Sequence, residues 1–173
     1  MKPKENNFAY IDGANLYRGI ESLGWSLDYR RFRVWLKDKY RIERAYLFLG
    51  LIPRNKNLYT ELQDAGYTIV FKETVYDGEG KVKGNCDADL VLKVVCDTYE
   101  NHFDQAVVVS SDGDYAGLVS FLKSREKLFA ILSPYNEKCS ILLKRTGAKI
   151  VFLGNFRDRL SVKEKAPDED RTS

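Results

Sequence analysis

Short apolar runs and helix-length amphipathic stretches take turns along this chain. "FAYI" (8–11) is a buried-strand run that stops at "DGAN", and the segment from Leu16 to Leu23 fits a helix with Asn15 near its start. In "SLDYRRFRVWLKDKY", Leu27, Phe32, Leu36 and Tyr40 recur at near-helical spacing, and Ser26 or Asp28 can cap the helix. "RAYLFLGL" (44–51) reads as a strand, "RNKNLYTELQDAG" as a helix closed by Gly66, and "YTIVF" (67–71) as a third strand. Turn chemistry at Asp77-Gly78 and at Gly80 predicts a small hairpin before a helix over 86–102. "QAVVVSS", "YAGLVSFLKSR", "KLFAIL", "EKCSILLKRTG" and "AKIVFL" then continue as strand, helix, strand, helix and strand. From Asn155 the chain turns polar, so a folded domain over 1–156 and a disordered tail over 157–173 are expected.

This alternation predicts an α/β fold: a mostly parallel sheet with helices on both faces, because parallel strands need crossovers and helices supply them. Binding sites in such sheets form beyond the carboxyl ends of the strands. Asp12 follows the strand 8–11, and Asp112 and Asp114 follow the strand at 106–110. Asp87 and Asp89 open a helix that must start near the same edge in order to feed the next strand from its other end. The order of elements therefore brings five acids to one rim.

Two unit charges about 4 Å apart repel by roughly 4 kcal/mol at an effective dielectric near 20, so such a rim calls for a counter-charge. Oxygen-only ligands suit a hard divalent ion such as Mg²⁺ or Mn²⁺, and the matching chemistry is metal-assisted hydrolysis of a phosphodiester. Each acid also has a plain structural role open to it. Asp112 and Asp114 can cap the next helix, and Asp87 can be a first-turn acid favoured by the helix dipole, which is compatible with metal binding.

Composition narrows the alternatives. The 173 residues carry a formal net charge of +3, which permits a polyanionic partner without demanding one. Three cysteines without CxxC or Cys/His spacing argue against a disulfide framework or structural zinc and for a reducing, cytoplasmic setting. No window nears the roughly 18 apolar residues of a membrane span, so no membrane partner is expected. His102 is the one histidine, read as a solvent-facing helix-end residue, and Cys96 and Cys139 read as small core hydrophobes. No GxSxG, Walker-type or GxGxxG loop follows a strand, which leaves other nucleophilic and nucleotide-binding schemes poorly supplied.

Three stretches carry a family resemblance. "YIDGANLY", "KGNCDADLVLKVV" and "VVVSSDGDYAGLV" resemble, in order and spacing, the three acidic motifs of NYN domains, the branch of PIN-like nucleases that includes LabA-like proteins. The resemblance covers about residues 7–153 and implies a three-layer α/β/α, PIN-like fold with a parallel sheet of five or six strands. It further implies a Mg²⁺- or Mn²⁺-dependent ribonuclease site with Asp12, Asp87, Asp112 and Asp114 as the metal-centred carboxylates. Asp89 is a second candidate ligand in its segment, and Asn15 a polar neighbour that orients Asp12 or the substrate. Cys86 stands where a small aliphatic residue is usual. Tyr115 replaces the commoner phenylalanine, adding a hydroxyl within reach of the rim.

For an RNA partner, Lys83 within the matched motif, Arg18 and Ser111 are the expected substrate contacts. Lys72 and Arg54 are further cations near the rim, with Tyr17 and Tyr76 available for base stacking. The competing reading is a non-catalytic RNA- or protein-binding regulatory module that retains the pocket. A phosphomonoesterase is weakened by the lack of an Asp-x-Asp-x-Thr segment, and an exposed sheet edge or helix leaves a homodimer open.

Overall fold

The computed structural model describes residues 3–51, 53–72, 75–80, 82–83 and 86–164. The chain runs β1 (Asn7–Asp12), α1 (Gly13–Ser22), α2 (Tyr29–Tyr40), β2 (Ile42–Gly50), α3 (Lys56–Asp64) and β3 (Tyr67–Lys72). A hairpin of β4 (Val75–Tyr76) and β5 (Val82–Lys83) precedes α4 (Asp87–Tyr99) and β6 (Ala106–Val109). Then come α5 (Ala116–Ser124), β7 (Leu128–Ser133), α6 (Ile141–Arg145), β8 (Ile150–Phe152) and α7 (Arg157–Leu160).

Six strands form one sheet in the order β3-β2-β1-β6-β7-β8, every neighbouring pair parallel. Successive side chains point to opposite faces, so each central strand feeds two cores. Ala9, Ile11, Leu47, Val107 and Val109 pack with Leu16, Ile20, Phe32, Leu36 and Leu62 from α1, α2 and α3. Phe8, Tyr10, Phe48 and Val108 pack on the opposite face with Leu90, Val94, Leu118 and Leu122 from α4 and α5. Burying each of these large apolar side chains contributes about 1.5–3 kcal/mol, which is why near-continuous apolar strands end up at the sheet centre. The expected three-layer α/β/α, PIN-like architecture is what the chain adopts, with six strands.

The chain adds strands outward from β1 to β3, crosses back with α4 to β6, and adds outward again to β8. The reversal lies between β1 and β6, and the crevice at such a switch point is where α/β sheets place ligands.

Several boundaries differ from the sequence reading, each for a local reason. Helix α1 starts at Gly13 rather than Leu16, because Asp12 is its cap: its Oδ1 accepts the Asn15 N–H at 3.1 Å. Asn15 is therefore inside the helix rather than capping it. Of the two candidate caps for α2, Asp28 is used, with Oδ1 accepting the Arg31 N–H. Helix α4 ends at Tyr99 rather than 102, since Asn101 turns into the left-handed region (φ 56°) and the His102 N–H returns to the Asp97 carbonyl. Cys139 is buried as expected, but Cys96 is exposed.

The folded part also reaches past 156. Residues 157–160 form α7, Leu160 is fully buried against the α2 face, and the Val162 N–H donates to the Ser26 carbonyl. Burial of Leu160 and backbone hydrogen bonds to the 26–28 segment, including the Asp28 N–H to the Leu160 carbonyl, hold this stretch in place. Residues 165–173 lie outside the described residues. No helix among the described residues is long and apolar enough to cross a membrane.

Candidate functional site

Asp12 is the last residue of β1, and its parity with Phe8 and Tyr10 turns it to the α4 side of the sheet. It is 9% exposed. Asp87 is the first residue of α4, and Asp112 lies three residues past the end of β6. One carboxylate oxygen from each of the three lies within 4.8 Å of the others. The three meet at the switch point because two parallel strand ends and one helix start share it.

Two glycines permit this approach. A Cβ on Gly13 would stand 2.7 Å from the Phe48 carbonyl oxygen, so the residue after Asp12 must be glycine for α1 to leave β1 so close to β2. A Cβ on Gly113 would likewise collide with Ser140, whose N–H donates to the Ser111 carbonyl.

Hydrogen bonds fix the three elements to one another. The Asn15 side-chain oxygen accepts both the N–H (2.9 Å) and the hydroxyl (3.0 Å) of Ser111, fastening α1 to the loop after β6. The Ser110 hydroxyl accepts the Asp112 N–H, and Asp112 Oδ1 accepts the Asp114 N–H at 2.9 Å. Tyr115, fully buried, places its hydroxyl 2.7 Å from Asp87 Oδ1 and 3.2 Å from Asp12 Oδ2. A phenol has one proton to donate, so it serves one of these carboxylates at a time. The hydroxyl noted in the sequence thus sits between two acids at the floor of the site.

The electrostatics are those of unrelieved like charge. Burial pushes the Asp12 carboxyl above the usual carboxylate range; the Asn15 N–H and the Tyr115 hydroxyl oppose this, while Asp87 and Asp112 add to it. Burial and the same two acids, Asp12 and Asp87, push the Tyr115 phenol up. Burial, then Asp12 and Asp89, raise the Cys86 thiol, which argues against a thiolate nucleophile.

The cleft over these acids has a volume of about 280 Å³ and is lined by Asp12, Asn15, Arg18, Asp87, Asp112 and Tyr135, among others. Arg18 and Asn15, expected near the acids, both line this cleft. Ser111 is buried and acts on Asn15 rather than on the cleft surface. Asp114 is exposed and outside the close trio. Asp89 turns away: its Oδ2 lies 3.6 Å from Lys72 Nζ, beside Leu92 and Cys96 on another groove. Two residues along a helix rotate a side chain by about 200°, so Asp87 and Asp89 cannot share a ligand sphere easily. The Lys83 side chain lies outside the described residues. Tyr135, from the loop after β7, gave no signal in the sequence; only the parallel neighbour β7 brings it here.

The donor set fits a hard divalent cation. It is all oxygen, concentrated, and partly desolvated, and the hydrogen-bond donors to Asp12 are neutral.

Comparison with known proteins identifies the family and the fold. Residues 9–153 match the NYN domain family. The Low amplitude and bright protein LabA of Synechococcus elongatus is 27% identical over 134 residues, which is 72% of this chain and 71% of that protein. A crystal structure of a protein of unknown function from Vibrio parahaemolyticus superposes with a TM-score of 0.74 at 22% identity. That alignment covers 92% of this chain and 98% of the other, and the likeness is one of fold.

Proposed function

The chain belongs to the NYN domain family of the PIN-like nuclease superfamily, and from that premise we propose that it is a metal-dependent ribonuclease cutting RNA phosphodiester bonds in the Asp12, Asp87 and Asp112 cleft. The observation that carries this reading is the meeting of three carboxylate oxygens within 4.8 Å, one each from a strand end, a helix start and a loop. Such an arrangement is costly without a cation and productive with one.

In this reading Asp12, Asp87 and Asp112 hold Mg²⁺ or Mn²⁺. When bound, the ion supplies positive charge that offsets their repulsion and stabilises the charge developing on the scissile phosphate. Tyr115 keeps Asp12 and Asp87 at a fixed separation by donating from below. Asn15 and Ser111 hold the strand ends together, so the carboxylates are positioned before substrate arrives. Arg18 offers a cation to a phosphate oxygen at the cleft wall. Asp114, exposed at the rim and tied through its N–H to Asp112, orients the attacking water and receives its proton as the P–O bond to the leaving ribose oxygen breaks.

Asp12→Asn and Asp112→Asn test the reading. Each is expected to lower Mn²⁺-dependent cleavage of a labelled RNA by about a thousand-fold, roughly 4 kcal/mol of barrier, with the fold intact by circular dichroism. Undiminished cleavage by the double variant sinks the proposal. Tight RNA binding with no cleavage by the natural chain, in any divalent metal, replaces it with a binding module.

A further inference from the structure

We propose that the groove between α2 and α7 is a second RNA-contacting surface that grips the phosphate backbone of the strand whose other part lies in the acidic cleft. This rests on the reading of that cleft as an RNA-cleaving site. The groove has a volume of about 670 Å³, and its walls carry Arg30, Arg31, Lys39 and Arg159 against one acid, Asp38. Arg31 leans on Asp28 at 3.5 Å, whereas Arg30, Lys39 and Arg159 have no carboxylate within ion-pair distance among the described residues.

Lys39 is held in the wall by aromatic rings, its Nζ lying 4.0 Å from the Phe156 ring centre and 5.0 Å from that of Trp35. Partial burial, then Lys149 and Arg159, hold its ammonium below the usual lysine range. The groove is therefore the mirror image of the cleft: like charges gathered on folded elements, here positive.

The residues that line the two are linked along the chain through α1 and α2. Arg18 lines the acidic cleft, and Tyr17, its neighbour on α1, is 60% exposed. Tyr17 and Tyr29 line one small hollow between α1 and α2, and Tyr29 precedes Arg30 at the mouth of the groove. Cation, exposed aromatic ring, then cations is the sequence of contacts that a single strand uses, its bases on the ring and its phosphates on the basic groups. An acidic peptide would satisfy the cations but has no use for Tyr17.

The need for such a surface follows from the site itself. Three carboxylates repel an incoming polyanion at distance, so affinity must come from outside the cleft, and a chain of net charge +3 has its positive excess elsewhere.

The test uses the full chain with Arg30→Glu and Arg159→Glu, singly and together, both positions being exposed. Anisotropy of a labelled single-stranded RNA, with EDTA present, is measured across a salt series. The double variant is expected to bind at least about ten-fold more weakly, with a log–log salt slope shallower by roughly 1.4, two phosphates at about 0.7 each. Mn²⁺-dependent cleavage of a dinucleotide, too short to reach the groove, stays unchanged. Unaltered affinity and slope in the double variant, with RNA bound by the natural chain, overturns the groove and spares the cleft. No RNA binding by the natural chain, with poly-glutamate captured through these arginines instead, overturns both.

Discussion

Two aspartates lie buried on the same side of the sheet, and the protein treats them oppositely. Asp97, near the end of α4, is 1% exposed and accepts the Tyr10 hydroxyl (2.7 Å), the Lys93 ammonium (2.9 Å) and a contact from His102 Nδ1 (3.0 Å). Asp12 is nearly as buried and also meets a tyrosine hydroxyl, yet the charges it faces are Asp87 and Asp112. Burial works to raise both carboxyls. For Asp97 the hydrogen bonds from Lys93, Tyr10 and His102 overcome it and leave the group below the usual range, while Asp12 stays above it. Asp97, Glu100 and His102 also bring three donor atoms together, as the cleft does. What separates the two is compensation: Asp97 is matched by the Lys93 cation, whereas the charged groups beside Asp12 are other acids, which makes its cluster a candidate cation site.

The largest effect should come from breaking the compensated side. Asp97→Ala removes the acceptor of Tyr10 and Lys93 and is expected to destabilise the protein by about 3 kcal/mol, read as a fall in the urea midpoint. Cleavage per folded molecule should hold, and its loss at full folding would erase the distinction between the two regions.

Tyr115→Phe probes the other side more gently, because the ring and its packing stay. Loss of a hydrogen bond to metal-holding carboxylates typically weakens metal affinity by about 10–100-fold. Titration calorimetry with Mn²⁺ should show about a ten-fold weaker site, with the melting temperature of the ion-free protein little changed. Equal affinity would reduce the hydroxyl to a packing detail.

The smallest effect is one of sign. The lowered Asp97 carboxyl adds stability present above its unfolded pKa and lost as pH falls through the folded value, so acid weakens the protein there. The raised Asp12 carboxyl does the reverse in ion-free protein: stability is lost as pH rises from about 4 through its folded value. Ion-free Asp12→Asn should therefore gain on the natural chain between acidic and neutral pH, read by denaturant unfolding across that range. A constant difference between the two proteins across that range would contradict the account.

The acids at strand ends were legible because apolar strand runs have sharp boundaries and parallel topology puts their carboxyl ends on one edge. Asp12 and Asp112 needed nothing more than "FAYID" and "AVVVSSD". Asp89 was less so: its nearness to Asp87 in sequence suggested a shared site, whereas helical rotation sends it to Lys72. His102 looked like a surface residue and became part of the Asp97 hub, a contact that exists only because α4 unwinds at Asn101.

By itself the sequence determined the alternation of strands and helices, the family and the acids at the rim, because these follow from local periodicity and chain order. Tertiary structure alone decided which acids meet, that Tyr115 stands between two of them, that Leu160 anchors the chain beyond 156, and that Arg30, Lys39 and Arg159 face one groove. Charge compensation depends on distances across elements remote in sequence, and periodicity carries no record of those distances.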